Sequence, residues 1–401
     1  MVGENGGGVF LVPYVISVLL FGIPLICLEL STGRIFHGSV LTSFKKINPR
    51  IGIFLAIIPF VLSMVVLSYY WVTAGWTLAY FLFSFTGYVD FQEFTSGLYP
   101  LVFFLAVIAI TGVIVKLGVK EGIERASKIM MPMLGLFLVI LAAYAITLPG
   151  AAEGLSFYLF PDPAKLLDVN VWTMAFGQAI MSLSVGFGIL LTYGSYLRDE
   201  QDIPLSAFTI AMADMSVALI AGIVIFPIVF SFGFDPTAGA QLAFVTLPAI
   251  FSTMPMGAII GAAFFILLFV GALTSSISLL EVGVATFVDE FSFSRQKAAF
   301  ILCSLLVFVG LPSALSYCGF DIQLIGMPFL DGLDLIFGTY VALISAVIIC
   351  LLVSWSLEPE ILIDEINKNS RVTIPVQTIW LLRVVIPVVI TVLIISSLLS
   401  A

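Results

Sequence analysis

The sequence predicts an all-α, polytopic membrane protein built around a broken helix. Three observations predict it. Hydrophobic residues make up 61% of the 401 residues and charged residues only 10%, with a mean hydropathy of +1.21, which excludes an ordinary soluble domain. Apolar runs long enough to cross about 30 Å of hydrocarbon recur along the whole chain. Within one of them, Ser182-Leu183-Ser184-Val185-Gly186-Phe187-Gly188 places two hydroxyls and two glycines where an unbroken helix would carry Leu or Val. Backbone freed at membrane depth is costly, so irregular chain survives there only when protein encloses it or when it lines a cavity that binds something.

The apolar runs lie near 9–30, 52–84, 99–116, 129–148, 170–197, 205–232, 254–288, 297–316, 333–356 and 376–399, or roughly ten spans. Orientation follows from the basic residues, which stay on the cytoplasmic side in short loops. Arg34, Lys45, Lys46 and Arg50 follow the first span, Lys116, Lys120, Arg125 and Lys128 the third, and Arg198 the fifth. Arg295 and Lys297 follow the seventh, and Lys368 and Arg371 the ninth, whereas the intervening loops carry only Lys165. Both termini are therefore expected outside. No Ser/Gly/Pro-rich linker divides the chain, so residues 1–401 read as one transmembrane domain.

The net charge of −9 is spread over loops on both faces, with no basic cluster suited to nucleic acid. The single histidine, His37, argues against a His-based metal site or proton relay. Cys27, Cys303, Cys318 and Cys350 lack metal-ligand spacing and read as small core residues. Two segments between spans look structured. The run LAFVTLPAIFS at 242–252 is short, apolar and outside, which suits a re-entrant or hairpin lid. Residues 118–125, GVKEGIER, read as a tight charged connection into the next helix.

Three polar constellations lie inside the spans. The first is the broken segment, led in by Gln178. The second is the run 271–278, GALTSSIS, where Thr274, Ser275 and Ser278 occupy neighbouring faces of a helix. Hydroxyls and carbonyls suit a small, hard monovalent cation such as sodium, although small residues also serve close helix packing. The third is Asp214, alone in the run 205–232. An ionised carboxylate at the bilayer centre costs about 2.5–3.5 kcal/mol or more and usually faces a site. By position alone, Tyr69, Tyr70 and Trp76 read as generic membrane aromatics, Asp331 and Asp334 as snorkelling acids at the outer end of the ninth span, and Asp289 and Glu290 as acids at the inner end of the seventh.

Taken together, these residues resemble the neurotransmitter:sodium symporter family in its prokaryotic branch. The matching segments are Glu4-Asn5-Gly6-Gly7-Gly8 with Pro13-Tyr14; Gly22-Ile23-Pro24-Leu25 through Glu29 to Gly33-Arg34; and Lys120-Glu121-Gly122-Ile123-Glu124-Arg125 with Lys128 and Met131-Pro132. Further along come the broken segment 182–188, then Thr246-Leu247-Pro248-Ala249-Ile250-Phe251, and Leu273-Thr274-Ser275-Ser276. They follow one another in order over almost the whole chain.

The resemblance implies a broken-helix, inverted-repeat transporter fold and sodium-coupled symport of an amino acid across a prokaryotic cytoplasmic membrane, with no enzymatic activity. It places one sodium ion against Gly271, Thr274 and Ser275 and another against Ser182 and Asp214. Tyr70 would donate its hydroxyl to the substrate carboxylate. Val66, Met181, Ser184, Phe187, Ser275 and Leu279 would line the side-chain pocket, with Phe187 closing over the substrate from outside. That apolar lining suits a hydrophobic or aromatic amino acid. Asp334, or Asp331 nearby, matches the outer-gate acid, and Asp289 with Tyr196 the inner gate. Expected partners are the amino-acid substrate and the lipid bilayer, without nucleic acid, and a homodimer stays open.

This chain departs from the pattern in two places. Asp214 stands where relatives place Asn, and Ala218 where chloride-independent relatives can hold an acid, so the fixed charge of Asp214 is expected to make chloride unnecessary. The family's first helix carries a GNxWRFPY-like stretch, and Met1 aligns just after it, so the chain is expected to be N-terminally truncated. A transport-inactive fragment or mis-started reading frame is thus the competing expectation, followed by a proton-coupled carrier of the same fold.

Overall fold

The computed structural model describes residues 2–235, 242–320 and 322–400. In chain order the helices are α1 (Gly8–Phe36), α2 (Val40–Ile47), α3 (Gly52–Thr86), α4 (Phe91–Ser96), α5 (Tyr99–Lys116), α6 (Val119–Ile146), α7 (Ala151–Leu159), α8 (Val169–Ser182) and α9 (Ile189–Gly194). They continue with α10 (Ile203–Ser231), α11 (Ala243–Thr253), α12 (Gly257–Phe291), α13 (Arg295–Leu315), α14 (Phe329–Ser356), α15 (Pro359–Asn367) and α16 (Thr378–Ser396). A two-residue antiparallel ladder, β1 (Gln323–Leu324) with β2 (Met327–Pro328), precedes α14.

Among the described residues nine of these helices are long and apolar enough to cross a membrane: α1, α3, α5, α6, α10, α12, α13, α14 and α16. The tenth expected span, 170–197, is the pair α8 and α9, separated by an irregular segment. Its backbone explains the interruption. Ser184 (φ 55°), Gly186 (φ 90°) and Gly188 (φ 73°) all lie in left-handed territory, which glycine enters freely and a helix cannot contain. The Val185 N–H turns back to the Ile180 carbonyl at 3.2 Å, so α8 closes with a 6→1 bond of the Schellman type.

Two connecting segments are also resolved. Residues 119–124 are wound as a π-turn that opens α6, so the charged sequence there belongs to the helix itself, with Gly118 (φ 95°) making the turn before it. The run expected as an outer lid forms α11, a short helix that packs on α12. Further π-turns fall at Val18–Gly22 in α1, one turn beyond the internal Pro13, and at Asp334–Val341 in α14. A proline removes one backbone donor and loosens the helix beside it.

The centre of the molecule is α3 against α12, each 35 residues long. The second half of α1 crosses α9 closely enough that a Cβ on Gly33 would lie 2.0 Å from the Leu191 carbonyl oxygen, and one on Gly194 2.4 Å from that of Leu30. Small residues here replace the hydrophobic drive that lipid withholds. The outward faces stay apolar, as Phe300, Leu305 and Phe308 of α13 show.

Candidate functional site

The irregular segment between α8 and α9 is held by side chains from three other helices. Glu29 of α1 accepts a hydrogen bond from Gly186 N at 2.7 Å, Ser345 of α14 donates to the Gly186 carbonyl, and Ser63 of α3 donates to the Phe187 carbonyl. Backbone groups that no helix satisfies are thus paired inside the protein, the condition for irregular chain at membrane depth. Gly186 also meets α14 directly, since a Cβ there would lie 2.8 Å from Ala346 N and 2.9 Å from the Ala342 carbonyl.

On one side of the break, Ser182 Oγ donates to Asp214 Oδ2 at 2.6 Å, and Tyr14 OH lies 3.5 Å from both. Three helices, α1, α8 and α10, supply these oxygens beside a cavity of about 110 Å³ lined in part by Gln178 and Ala218. A carboxylate and two hydroxyls form a hard oxygen donor set of the kind that suits an alkali cation. On α12, Thr274 Oγ1 donates to the Gly271 carbonyl at 2.7 Å, and Ser278 bonds both the Thr274 carbonyl and Tyr193 OH. Thr274 and Ser278 face an inner cavity of about 320 Å³ bounded by α6. Ser275 is turned the other way, toward the Tyr70 hydroxyl.

Tyr70 also lines a cavity of about 720 Å³, together with Tyr69, Trp76, Phe244, Asp331 and Asp334. Asp334 Oδ1 accepts from Tyr69 OH at 2.9 Å, and both Asp331 oxygens accept from Tyr317 OH at 2.9 and 2.8 Å. Burial and the adjacent Asp331 carboxylate raise the Tyr317 phenol above its ordinary pKa, so it stays a donor at neutral pH. The remaining pocket candidates, Val66, Phe187 and Leu279, are buried, while Met181 and Ser184 are half-buried at the break.

The expected inner pair of Tyr196 with Asp289 is not formed in this structure. Tyr196 OH donates instead to Glu281, and Arg295 binds both carboxylate oxygens of Glu281 as well as the Val115 carbonyl at 3.2 Å. Asp289 accepts from Ser39 N at 2.6 Å, ahead of the α2 N-terminus, and Thr42 Oγ1 donates to Glu290 at 2.8 Å. The reason is geometric. Glu281 lies about two turns before Asp289 on α12 and is fully buried opposite Tyr196, whereas Asp289 is captured by the Ser39 N–H where a helix begins. Removing one member of a buried ion pair typically costs about 3–5 kcal/mol. Arg295→Ala is therefore expected to lower stability by about that amount, and Arg295→Met combined with Glu281→Gln by much less, as thermal unfolding of the purified proteins would show.

Sequence reasoning passed over Glu281, used Arg295 only to orient the spans, and treated Glu29 and Arg34 as motif residues, Arg34 also as an orientation marker. Arg34 is almost wholly buried; it pairs with Glu365 of α15 and donates to the Gln201 carbonyl at 2.6 Å. The signal was available. Glu29 and Glu281 lie in apolar runs just as Asp214 does, and the same argument applied to all three acids.

Comparison with known proteins gives the chain's family. The Sodium:neurotransmitter symporter family model matches residues 1–99 and 91–401. An uncharacterized sodium-dependent transporter of Bacillus subtilis (strain 168), YhdH, is 34% identical over 97% of this chain and 89% of its own length. Another of Methanocaldococcus jannaschii is 32% identical over 98% of this chain and 83% of its own length. Among solved structures, MhsT in complex with L-phenylalanine superposes with a TM-score of 0.89 at 37% identity, covering 98% of this chain and 92% of that one. The chain is thus a multi-pass membrane transporter rather than an enzyme, and it belongs to the sodium:neurotransmitter symporter family.

Proposed function

We propose that this chain, as a single transporter domain, carries a hydrophobic or aromatic amino acid together with sodium across a prokaryotic cytoplasmic membrane by alternating access. One observation carries the reading: the break at 183–188 sets an oxygen cluster, Ser182 with Asp214, directly beside residues that face the α3–α12 centre. Sodium binds Ser182 and Asp214 at one site and Gly271, Thr274 and Ser275 at the other. Tyr70 takes the substrate carboxylate, and Val66, Met181, Ser184, Phe187, Ser275 and Leu279 surround the side chain. Asp334 works at the outer gate with Tyr69, and Tyr196 and Asp289 belong to the inner gate. The similarity to MhsT, whose structure is a complex with L-phenylalanine, supports an aromatic substrate. Each sodium ion moved inward gains about 2.3 kcal/mol per 100 mV, which is enough for accumulation.

In reconstituted vesicles, phenylalanine uptake is expected to require an inward sodium gradient and to be competed by leucine and tryptophan more strongly than by glycine. Uptake without sodium, or competition by glycine alone, would overturn the substrate reading. The negative charge of Asp214 removes the need for an anion, so replacing chloride by gluconate is expected to change uptake by less than about twofold, because the charge chloride would supply is already covalently present. A homodimer is compatible with this function but is not required by it.

A further inference from the structure

Glu29 is fully buried and belongs to neither the ion nor the substrate site. Its Oε1 accepts from Gly186 N at the break and the Leu191 N–H of α9 also bears on the carboxyl, while its Oε2 makes no hydrogen bond of good geometry among the described residues. Among the described residues no cation answers it. On its own helix, Arg34 is engaged by Glu365 and Gln201, and Cys27 is a buried free cysteine. From the elements packed against α1, Cys350 of α14 donates to the Leu382 carbonyl, Tyr193 of α9 bonds Ser278, and Asp214 of α10 bonds Ser182. Asp202 caps the N-terminus of α10. On α2, Lys45 pairs with Glu290, and Lys46 donates to the Phe36 carbonyl. On α15, Glu365 holds Arg34, while Glu360 and Asp364 are exposed, as is Glu358 just before that helix.

An ionised carboxylate with one bare oxygen and no counter-charge is the costliest group a protein interior can hold, and a neutral acid with one unpaired hydroxyl costs far less. We propose that Glu29 carries a proton whenever the break is enclosed as it is here, and that it gives the proton up to water when α8 and α9 move and open the break. The step is acid–base only. An O–H bond forms at Oε2 with a proton taken from water as the segment closes and breaks as it opens, and no electron is transferred. Closure of the break is thereby linked to pH through a site separate from both sodium sites. The carboxyl state is independent of the transport reading above, and only the uptake arm of its test rests on that reading.

The test compares the full chain with Glu29→Gln, a near-isosteric mimic of the protonated acid whose amide oxygen can still accept from Gly186. In the infrared spectrum of the detergent-purified protein near neutral pH, the wild type is expected to show a protonated-carboxyl C=O band that Glu29→Gln lacks. Identical spectra overturn the proposal. In vesicles, wild-type uptake of phenylalanine should fall by up to about tenfold per pH unit once Glu29 begins to lose its proton, the limit for a single titrating group. Glu29→Gln should stay within about twofold over the same range. Equal pH profiles, or a Glu29→Gln protein that fails to fold while Glu29→Asp folds, overturn it as well. If the wild type takes up no phenylalanine, the transport reading fails and the infrared comparison still decides the state of Glu29.

Discussion

Asp214→Ala is expected to raise the sodium concentration needed for half-maximal substrate binding by about 10–150-fold, the equivalent of the 1.5–3 kcal/mol that a charged hydrogen-bonding partner typically contributes. The argument rests on the cluster itself. Asp214 is the only charged member, Ser182 is already turned toward it at 2.6 Å, and Tyr14 completes the group from α1. With the carboxylate gone, two neutral hydroxyls hold a cation poorly. Asp214→Asn keeps an oxygen at the same place but removes the charge, so its residual binding is expected to gain from added chloride, which wild-type binding does not. A sodium titration of phenylalanine binding to each variant checks both results, and an unchanged midpoint in Asp214→Ala would remove this residue from the ion site.

Gly186→Ala is expected to reduce uptake at least about 100-fold, because the strain and the clash together exceed about 3 kcal/mol. Left-handed backbone costs a residue with a Cβ about 1–2 kcal/mol. The added methyl would also press on Ala346 N at 2.8 Å and on the Ala342 carbonyl at 2.9 Å. Both are backbone atoms of α14 and cannot swing aside as a flexible side chain could. The break would have to withdraw from α14, losing the bonds from Glu29 and Ser345 that hold it. Gly135 of α6 is a suitable control, since nothing lies within 4 Å of its Cβ position. Gly135→Ala should leave uptake intact and stabilise the helix by up to about 1 kcal/mol. Uptake and thermal unfolding measured side by side separate a lost site from a lost fold.

Much of the fold was legible because hydrocarbon imposes simple rules. Long apolar runs must be helices, and the ends of α3, α5, α10 and α13 fall within a few residues of where hydropathy puts them. The break was legible for the same reason, since Gly186 and Gly188 have no business in an unbroken span unless the backbone needs them. Residues 118–125 were read as a connection because Gly118 and four charges look like a loop, yet charged side chains on a first helical turn cost little at the membrane surface. The partners of individual acids were the least legible. Nothing in the order of residues says that Tyr196 reaches Glu281 instead of Asp289, or that Arg34 reaches Glu365, some 331 positions away.

By itself, therefore, the sequence determined the class, the spans and the place of the interruption, because those follow from local composition set against a uniform apolar solvent. Only the tertiary structure decided how the pieces pair: which helices pin the break, that Thr274 faces the cavity beside α6 while Ser275 turns to Tyr70, and that Glu29 lies buried with one oxygen bare. Pairing depends on distances between segments far apart in the chain, and those are set by how closely small residues such as Gly33, Gly186 and Gly194 let the helices approach.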